Sequence, residues 1–330
     1  MIPEELQQAL YSITQGLSRD QVAKDAENIS HRYRNQSGKG KRLLTESTEA
    51  VAYALARMPA TYGAVDFVFR QVFQQLHEDV TFHDMIDVGA GTGTVAWVMS
   101  QYAELSGGIA CLEREKVMRD TANALGKYGS DNVKNAKWIA YDIVTDGLKC
   151  NADVVTASYV LNELCDEHRD RAVEKLWAAT KKVLIIIEPG TPVGFNNIKK
   201  IRSQLIEKGA TVIAPCVHCN ECTKNEEDWC HFTARVGRTT IHRELKGGQC
   251  SYEDEKFSYI ALAKEPCLIK PYKEGEGRIL RHPQVRKGHI LMELCTTQGI
   301  INATISKKDG EIYKETKKLN QGDKIFYKIC

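Results

Sequence analysis

Between residues 81 and 266 the chain alternates short apolar runs with stretches of helical spacing, and the first run ends in "MIDVGAGTGT". Few folds accept that pattern. Short strands separated by helices build a parallel, doubly wound α/β sheet. The strand-like runs are "HDMIDVGAG", "GGIACLERE", "AKWIAYDI", "ADVVTASYVLNEL", "KKVLIIIEPG" and "KFSYIALAKEP". Between the first two, Val95, Val98, Met99, Tyr102 and Leu105 recur on one helical face.

The flanks read differently. Residues 1–80 form an N-terminal helical region, with "STEAVAYALARM" and "PATYGAVDFVFRQVFQQL" expected as separate helices divided at Pro59. "NQSGKGKR" (35–42) is a basic loop inside it. Residues 81–266 are the α/β domain, and "QG" and "DG" turns between β-branched runs mark 267–330 as a β-rich appendage. That appendage is basic. From Lys264 onward there are 14 Lys+Arg against 8 Asp+Glu, although the whole chain carries only +2. Such an imbalance suits a polyanionic partner. No run approaches the length of a membrane span, and the opening "MIPEELQQALYSITQGLSRD" resembles neither a signal peptide nor an Arg-rich transit peptide. The expectation is a monomer in the reducing cytoplasm, with no membrane attachment. Eleven cysteines there point to metal binding or buried thiols, not disulfides.

The glycine loop constrains the ligand. Gly89, Gly91 and Gly93 let the backbone turn sharply and approach a bound group. A dinucleotide fingerprint would need its third glycine at position 94, where Thr94 stands. Asp87 just before the loop is unsuited to a phosphate. The pattern D-x-G-x-G-x-G resembles motif I of class I S-adenosylmethionine-dependent methyltransferases. Glu113 ends the second strand, where an acid accepts hydrogen bonds from ribose hydroxyls. Asp142 ends the third, where that class contacts the adenine amine. The resemblance therefore implies Asp87, Gly89, Gly91, Gly93, Glu113 and Asp142 as the cofactor site. No catalytic residue is identified. The segment after strand four, "ASYVLNEL", lacks the Asn/Asp-Pro-Pro-aromatic motif of amino-group enzymes, and Pro266–Cys267 lies too late for a carbon-5 pyrimidine nucleophile. Glu188 after strand five is a candidate substrate-facing acid or a plain strand terminus.

Residues 214–238 form a Cys-rich insertion. "APCVHCNECTKNEEDWCHFTARVGR" has the spacing C-x2-C-x2-C-x7-C at Cys216, Cys219, Cys222 and Cys230. Four thiols in a polar, irregular stretch suit zinc or an iron–sulfur cluster. For zinc, His218, His231 or His242 could replace one thiolate.

"RMPATYGAV", motif I, "APC…C…DWCHFTARVGR", "FSYIALAK" and the terminal "GHILMELC…G…SKKDG…YK…GD" occur in one order from about residue 40 to residue 325. Together they resemble the ribosomal small-subunit assembly methyltransferase-like family, with bacterial and mitochondrial members. The resemblance implies a class I methyltransferase (Rossmann-like) sheet, a 4Fe-4S cluster and association with small-subunit ribosomal RNA. It implies ligands at Cys216, Cys222, Cys230 and Cys295. Cys219 is additional to the family pattern, so the local set Cys216, Cys219, Cys222 and Cys230 stays open. Arg235 and Arg238 would face RNA phosphates, while Trp229, His231 and Phe232 either stack on bases or pack around the metal. Three further readings remain beside an active ribosomal-RNA methyltransferase. One is an RNA-binding assembly factor without methyl transfer; another is a zinc-containing small-molecule methyltransferase. A radical enzyme is disfavoured by the C-x2-C-x2-C spacing.

Overall fold

The computed structural model describes residues 2–36, 44, 46–225, 227–238, 243 and 250–327. Residues 37–42 of the basic loop and His242 lie outside them. Helices α1 (Glu4–Ser12), α2 (Arg19–Gln36) and α3 (Ser47–Gln75) open the chain. α3 runs unbroken through Pro59, contrary to the division expected there. A mid-helix proline removes one backbone hydrogen bond. Burial of Leu55, Met58, Tyr62, Val65, Phe69 and Val72 on both sides of it offsets that loss.

The central sheet has eight strands: β1 (Asp84–Val88), β2 (Gly108–Glu113), β3 (Lys137–Ala140), β4 (Ala152–Ser158), β5 (Thr180–Pro189), β6 (Thr211–Ala214), β7 (Phe232–Gly237) and β8 (Tyr252–Ala263). Their order is β3-β2-β1-β4-β5-β8-β6, with β7 also paired to β8. The first five are parallel. β8 is antiparallel to β5, β6 and β7, which corrects the all-parallel expectation. β8 pairs with β7 along its first half, from Tyr252↔Gly237 to Phe257↔Phe232, and antiparallel pairing fixes its direction.

β4 and β5 read as continuous apolar runs because both faces are covered. α3 and α4 (Thr94–Met99) cover one face, with α5 (Lys116–Gly126) beside them. α7 (Asp166–Ala179) and α8 (Pro192–Glu207) cover the other, and α6 (Asp131–Lys134) is a single turn before β3. α3 lies so close to β7 that a Cβ on Gly63 would fall 2.4 Å from Val236 Cγ2.

A second sheet, antiparallel, follows: β9 (Glu276–Ile279), β10 (Gln284–Arg286), β11 (His289–Thr296), β12 (Gly299–Ser306) and β13 (Lys324–Phe326), with α9 (Glu311–Thr316) before its last strand. The "QG" turn does join β11 to β12, but the "DG" pair caps α9. This sheet has its own apolar core around Ile279, Ile290, Leu294 and Tyr313. Buried Arg278 ties it to α3, donating to Gln71 and to Tyr272 Oη at 2.7 Å. Gln321 also donates to His231 O at 2.6 Å and Leu280 O at 2.9 Å.

Candidate functional site

β1 delivers its C-terminal end into the glycine loop. Gly89, Gly91 and Gly93 all have left-handed backbones, at φ 71°, 56° and 89°. A Cβ on Gly89 would also meet Val160 at 2.7 Å, so that residue locks the loop against the end of β4. Asp87 lies beneath the loop, 1% exposed, and accepts from Thr156 Oγ1 at 2.6 Å. Its second oxygen has no partner. Burial raises its pKa to about 7, against the Thr156 hydrogen bond. Glu113 at the end of β2 accepts from Gly91 N at 2.9 Å and Glu115 N at 2.8 Å. Burial pushes it upward too, opposed by those two amides. Asp142 accepts from Val144 N at 2.9 Å and lies 3.7 Å from Arg114 Nη1.

Gly89, Gly91, Glu113 and Asp142 line one cavity. Asp87 and Gly93 support the loop from behind. The same cavity is lined by Tyr53 from α3, by Arg114 and Glu115, and by Ser158, Tyr159 and Glu163 after β4. Sequence reasoning missed Tyr53, Arg114 and Glu115. Ser158, Tyr159 and Glu163 lie in the segment "SYVLNEL" after strand four, which matches the position of the family's cofactor-side or catalytic segment, but Tyr53 gives no local signal. Arg114 pairs with Glu115 at 2.9 Å. Burial raises the pKa of Glu163 to about 7. Glu188 is fully buried at the end of β5, outside the cavity, with Asn197 Nδ2 donating at 3.4 Å. It ends its strand and lines neither this cavity nor the thiol cavity described below.

The cysteine segment leaves the sheet after β6 and returns at β7, both on one edge of β8. Phe232–Gly237 is thus a strand and not part of an irregular insertion. Cys216, Cys222, Cys230 and Cys295 line a second cavity with Phe195, Ile198, Phe232 and Leu280. Cys216 and Cys295 share a hydrogen bond, which raises the first thiol and lowers the second. Burial and the facing Cys216 push Cys222 and Cys230 up. Cys219 points elsewhere, exposed, with Val212 N donating to its sulfur at 3.5 Å. Cations brace the loop. Arg202 donates to His218 O at 2.8 Å and Asn220 O at 2.7 Å. Lys224, with its side chain 5% exposed, pairs with Asp228 and with Glu293 of β11 at 2.5 Å. Arg281 holds Asp228 at 2.7 Å and Trp229 O at 2.8 Å. Among the described residues no three His, Cys, Asp or Glu side chains gather closely enough to hold a single metal ion.

Arg235 is exposed on β7, makes two 2.7 Å bonds to Asp254 and stacks over Tyr252 at 4.0 Å. Arg238 is largely covered, 3.5 Å from Glu253. Phe232 is wholly buried against Phe67, Phe257 and Tyr259, so it packs and does not stack on bases. Trp229 donates to Gly190 O at 3.0 Å and stacks on His231.

The strand order, with one long antiparallel strand between the fifth and sixth, and the glycine loop at the end of β1 define a class I S-adenosylmethionine-dependent methyltransferase fold. Within that class the chain belongs to the family described as mitochondrial small ribosomal subunit Rsm22, whose model matches residues 47–326. It is similar to the human mitochondrial ribosome assembly protein METTL17, at 24% identity over 266 residues, covering 76% of this chain and 56% of that protein. It is also similar to the Rsm22-cox11 tandem protein 2, mitochondrial, of Schizosaccharomyces pombe, at 22% identity, covering 86% of this chain and 43% of that protein. The chain spans about half the length of the curated relatives it matches. Among solved structures, magnesium protoporphyrin IX methyltransferase from Synechocystis aligns at TM-score 0.39 and 13% identity, covering 76% of this chain and 99% of that one. The N-methyltransferase NodS of Bradyrhizobium japonicum aligns at 0.42 and 9%, covering 72% and 97%. Among the described residues no helix is long and apolar enough to cross a membrane.

Proposed function

We propose that this chain binds S-adenosylmethionine and acts on, or holds, small-subunit ribosomal RNA during ribosome assembly, as a monomer in a reducing compartment. The observation that carries the reading is family membership over residues 47–326 combined with the glycine-loop cavity. The cavity suits the cofactor chemically. Gly91 leaves room beside the backbone, Gly89 and Gly93 hold the turn against Val160 and Trp138, and Glu113 and Asp142 offer acceptors for hydroxyl and amine donors. Asp87, with one oxygen unpaired, suits a ligand with a cationic amine and sulfonium, through water. A nicotinamide dinucleotide is the poorer fit, because its pyrophosphate would lie among acids.

The thiol cavity is read as the seat of a 4Fe-4S cluster held by Cys216, Cys222, Cys230 and Cys295. The donor set supports this: four soft ligands, apolar walls and nearby Arg202, Lys199 and Lys224 to balance anionic charge. When bound, such a cluster supplies a one-electron couple and a covalent cross-link. The protein's own contribution is to hold the 215–231 loop against β11 through Lys224 and Arg281. Zinc on a local ligand set is the weaker alternative, since Cys219 faces away from the other thiols. Arg235 and Arg238 would serve RNA only by exchanging Asp254 and Glu253 for phosphates.

Calorimetric titration with S-adenosylhomocysteine, and binding to small-subunit rRNA across a salt series, test the reading. Micromolar cofactor-product binding with a steep salt slope for RNA is expected. Absence of both would overturn it.

A further inference from the structure

Among the described residues β7 pairs with β8 and with no other strand. In an antiparallel pair, successive residues turn their N–H and C=O groups alternately towards the partner strand and away from it. Arg238 N, just past β7, donates to Ser251 O at 2.8 Å, so Val236, Ala234 and Phe232 turn towards β8 as well. Thr233, Arg235 and Gly237 therefore turn outward. Thr233 N is taken, since it donates to Gln321 Oε1 at 3.0 Å. The backbone groups of Arg235 and Gly237 form the open half of a ladder, which is the usual template for another chain.

This edge walls a cleft. Thr233 to Val236 form one side of a space of about 370 Å³, roomier than the glycine-loop cavity at about 110 Å³. α3 forms a second side with Gly63, Phe67 and Arg70, and the appendage closes one end with Gln321 and Asp323. The edge is thus recessed between a helix and the second sheet, where only a slim, extended chain can reach it. Its charges are unevenly committed. Arg235 is neutralised by Asp254. Asp66 accepts from Tyr102 Oη at 2.9 Å, and Asp323 accepts from Asn320 N at 2.7 Å. Arg70 is exposed, with its guanidinium 5.4 Å from the centre of the Phe67 ring, and it makes no ion pair among the described residues.

We propose that the outer edge of β7 docks an extended segment of a partner protein, which adds a strand beside Arg235 and Gly237 and seats a carboxylate on Arg70. Main-chain hydrogen bonds supply affinity in such strand addition, and alternate side chains supply selectivity. One set of incoming side chains would face α3, meeting the Phe67 ring and the Arg70 charge. The other set would face solvent beside Arg235. RNA suits the cleft less well. Phosphates carry no donors for the outward carbonyls, and they would lie against Asp66 and Asp323. A second copy of this chain also suits it less well, because its own β7 edge is recessed in the same way. The inference depends on neither the cofactor reading nor the cluster reading.

The test uses the full chain as bait for a phage-displayed library of random peptides. The most enriched sequence is then synthesised with a fluorescent label and its binding read by anisotropy. Saturable binding is expected, with an acidic residue at one fixed place in the sequence. N-methylation of one alternate set of peptide amides should weaken binding about tenfold or more, and N-methylation of the other set less than about threefold. Arg235→Pro deletes an outward amide and spares the ladder with β8, so it should cost about tenfold, whereas Arg235→Ala should stay within about threefold. Arg70→Glu should weaken the acidic peptide about tenfold and favour a version with lysine in place of the acid. Circular dichroism checks that the variants fold, and the N-methylated peptides read the ladder on unaltered protein. Failure to enrich any peptide would overturn the proposal, as would equal binding of both N-methylated forms or indifference to Arg235→Pro. Loss of rRNA affinity in Arg235→Pro but not in Arg235→Ala would give the edge to RNA and overturn it. So would a wild-type dimer in sedimentation that Arg235→Pro splits, which would give the edge to a second copy.

Discussion

The two cavities are built in opposite ways. The glycine-loop cavity collects the C-terminal ends of consecutive parallel strands, so Gly89, Glu113 and Asp142 come within about fifty residues of chain. The thiol cavity is made from a loop between two edge strands and from Cys295, which arrives on a strand of the other sheet. The first is a product of local order repeated along the sheet. The second exists only when the two sheets are docked. A site of the first kind should survive damage to the appendage, whereas the second should not.

The sharpest way to break that contrast is to remove one thiol from each candidate ligand set. In anaerobically purified protein, Cys295→Ser should lose nearly all iron and acid-labile sulfide, and Cys219→Ser should keep them. Zinc without sulfide, indifferent to Cys295, would sink the four-thiol assignment. Next in size is the clamp between loop and appendage. Lys224→Met leaves the largely covered Glu293 with only Arg281 at 3.6 Å and leaves the exposed Asp228 to Arg281. Chemical denaturation should show a loss of about 1–3 kcal/mol, with cofactor-product affinity unchanged.

The glycine-loop cavity carries its own signature in pH. Asp87 has a folded pKa raised to about 7 by burial, above the ordinary value of 3.8. The folded state therefore holds a proton that the unfolded chain releases. Stability from this group is full below pH 4 and is lost as pH rises to about 7. Unliganded protein should lose on the order of a few kcal/mol across that window, and Asp87→Asn should flatten the curve. A wild-type curve flat between pH 4 and 7 would refute the burial argument.

Smaller still is Gly89→Ala. Its Cβ would strike Val160 and force a left-handed alanine. Binding of S-adenosylhomocysteine should weaken by roughly 10–30-fold, equivalent to about 1.4–2 kcal/mol. The smallest effect belongs to Arg235→Ala. Because Asp254 already neutralises that guanidinium, rRNA affinity should change less than about threefold, read by filter binding at two salt concentrations.

Much of the first cavity was legible in the sequence because its determinants are short-range. A glycine run after an apolar strand, and acids at the next two strand ends, stand at spacings set by one βαβ unit each. Its far wall was legible only in the segment after strand four. Tyr53 comes from a helix thirty residues before β1, and Tyr159 takes a left-handed backbone, at φ 60°, that no residue type announces. β7 was hidden for a related reason. "FTARVG" alternates like a strand, but the cysteines and charges beside it read as one irregular segment, and only pairing with β8 gives it a sheet. The antiparallel course of β8 escaped as well, since strand direction depends on neighbours and not on local pattern.

By itself, the sequence determined the alternation that builds the sheet, the glycine turn that opens the first cavity, and the thiols available for the second. These depend on side-chain period and on residues whose conformational range is intrinsic. Only the tertiary structure decided that Cys295 joins Cys216 while Cys219 turns away, and that Arg235 meets Asp254. It also decided that a helix passes unbroken through Pro59. In each case the outcome is a balance between local preference and burial against a distant partner, which spacing along the chain does not encode.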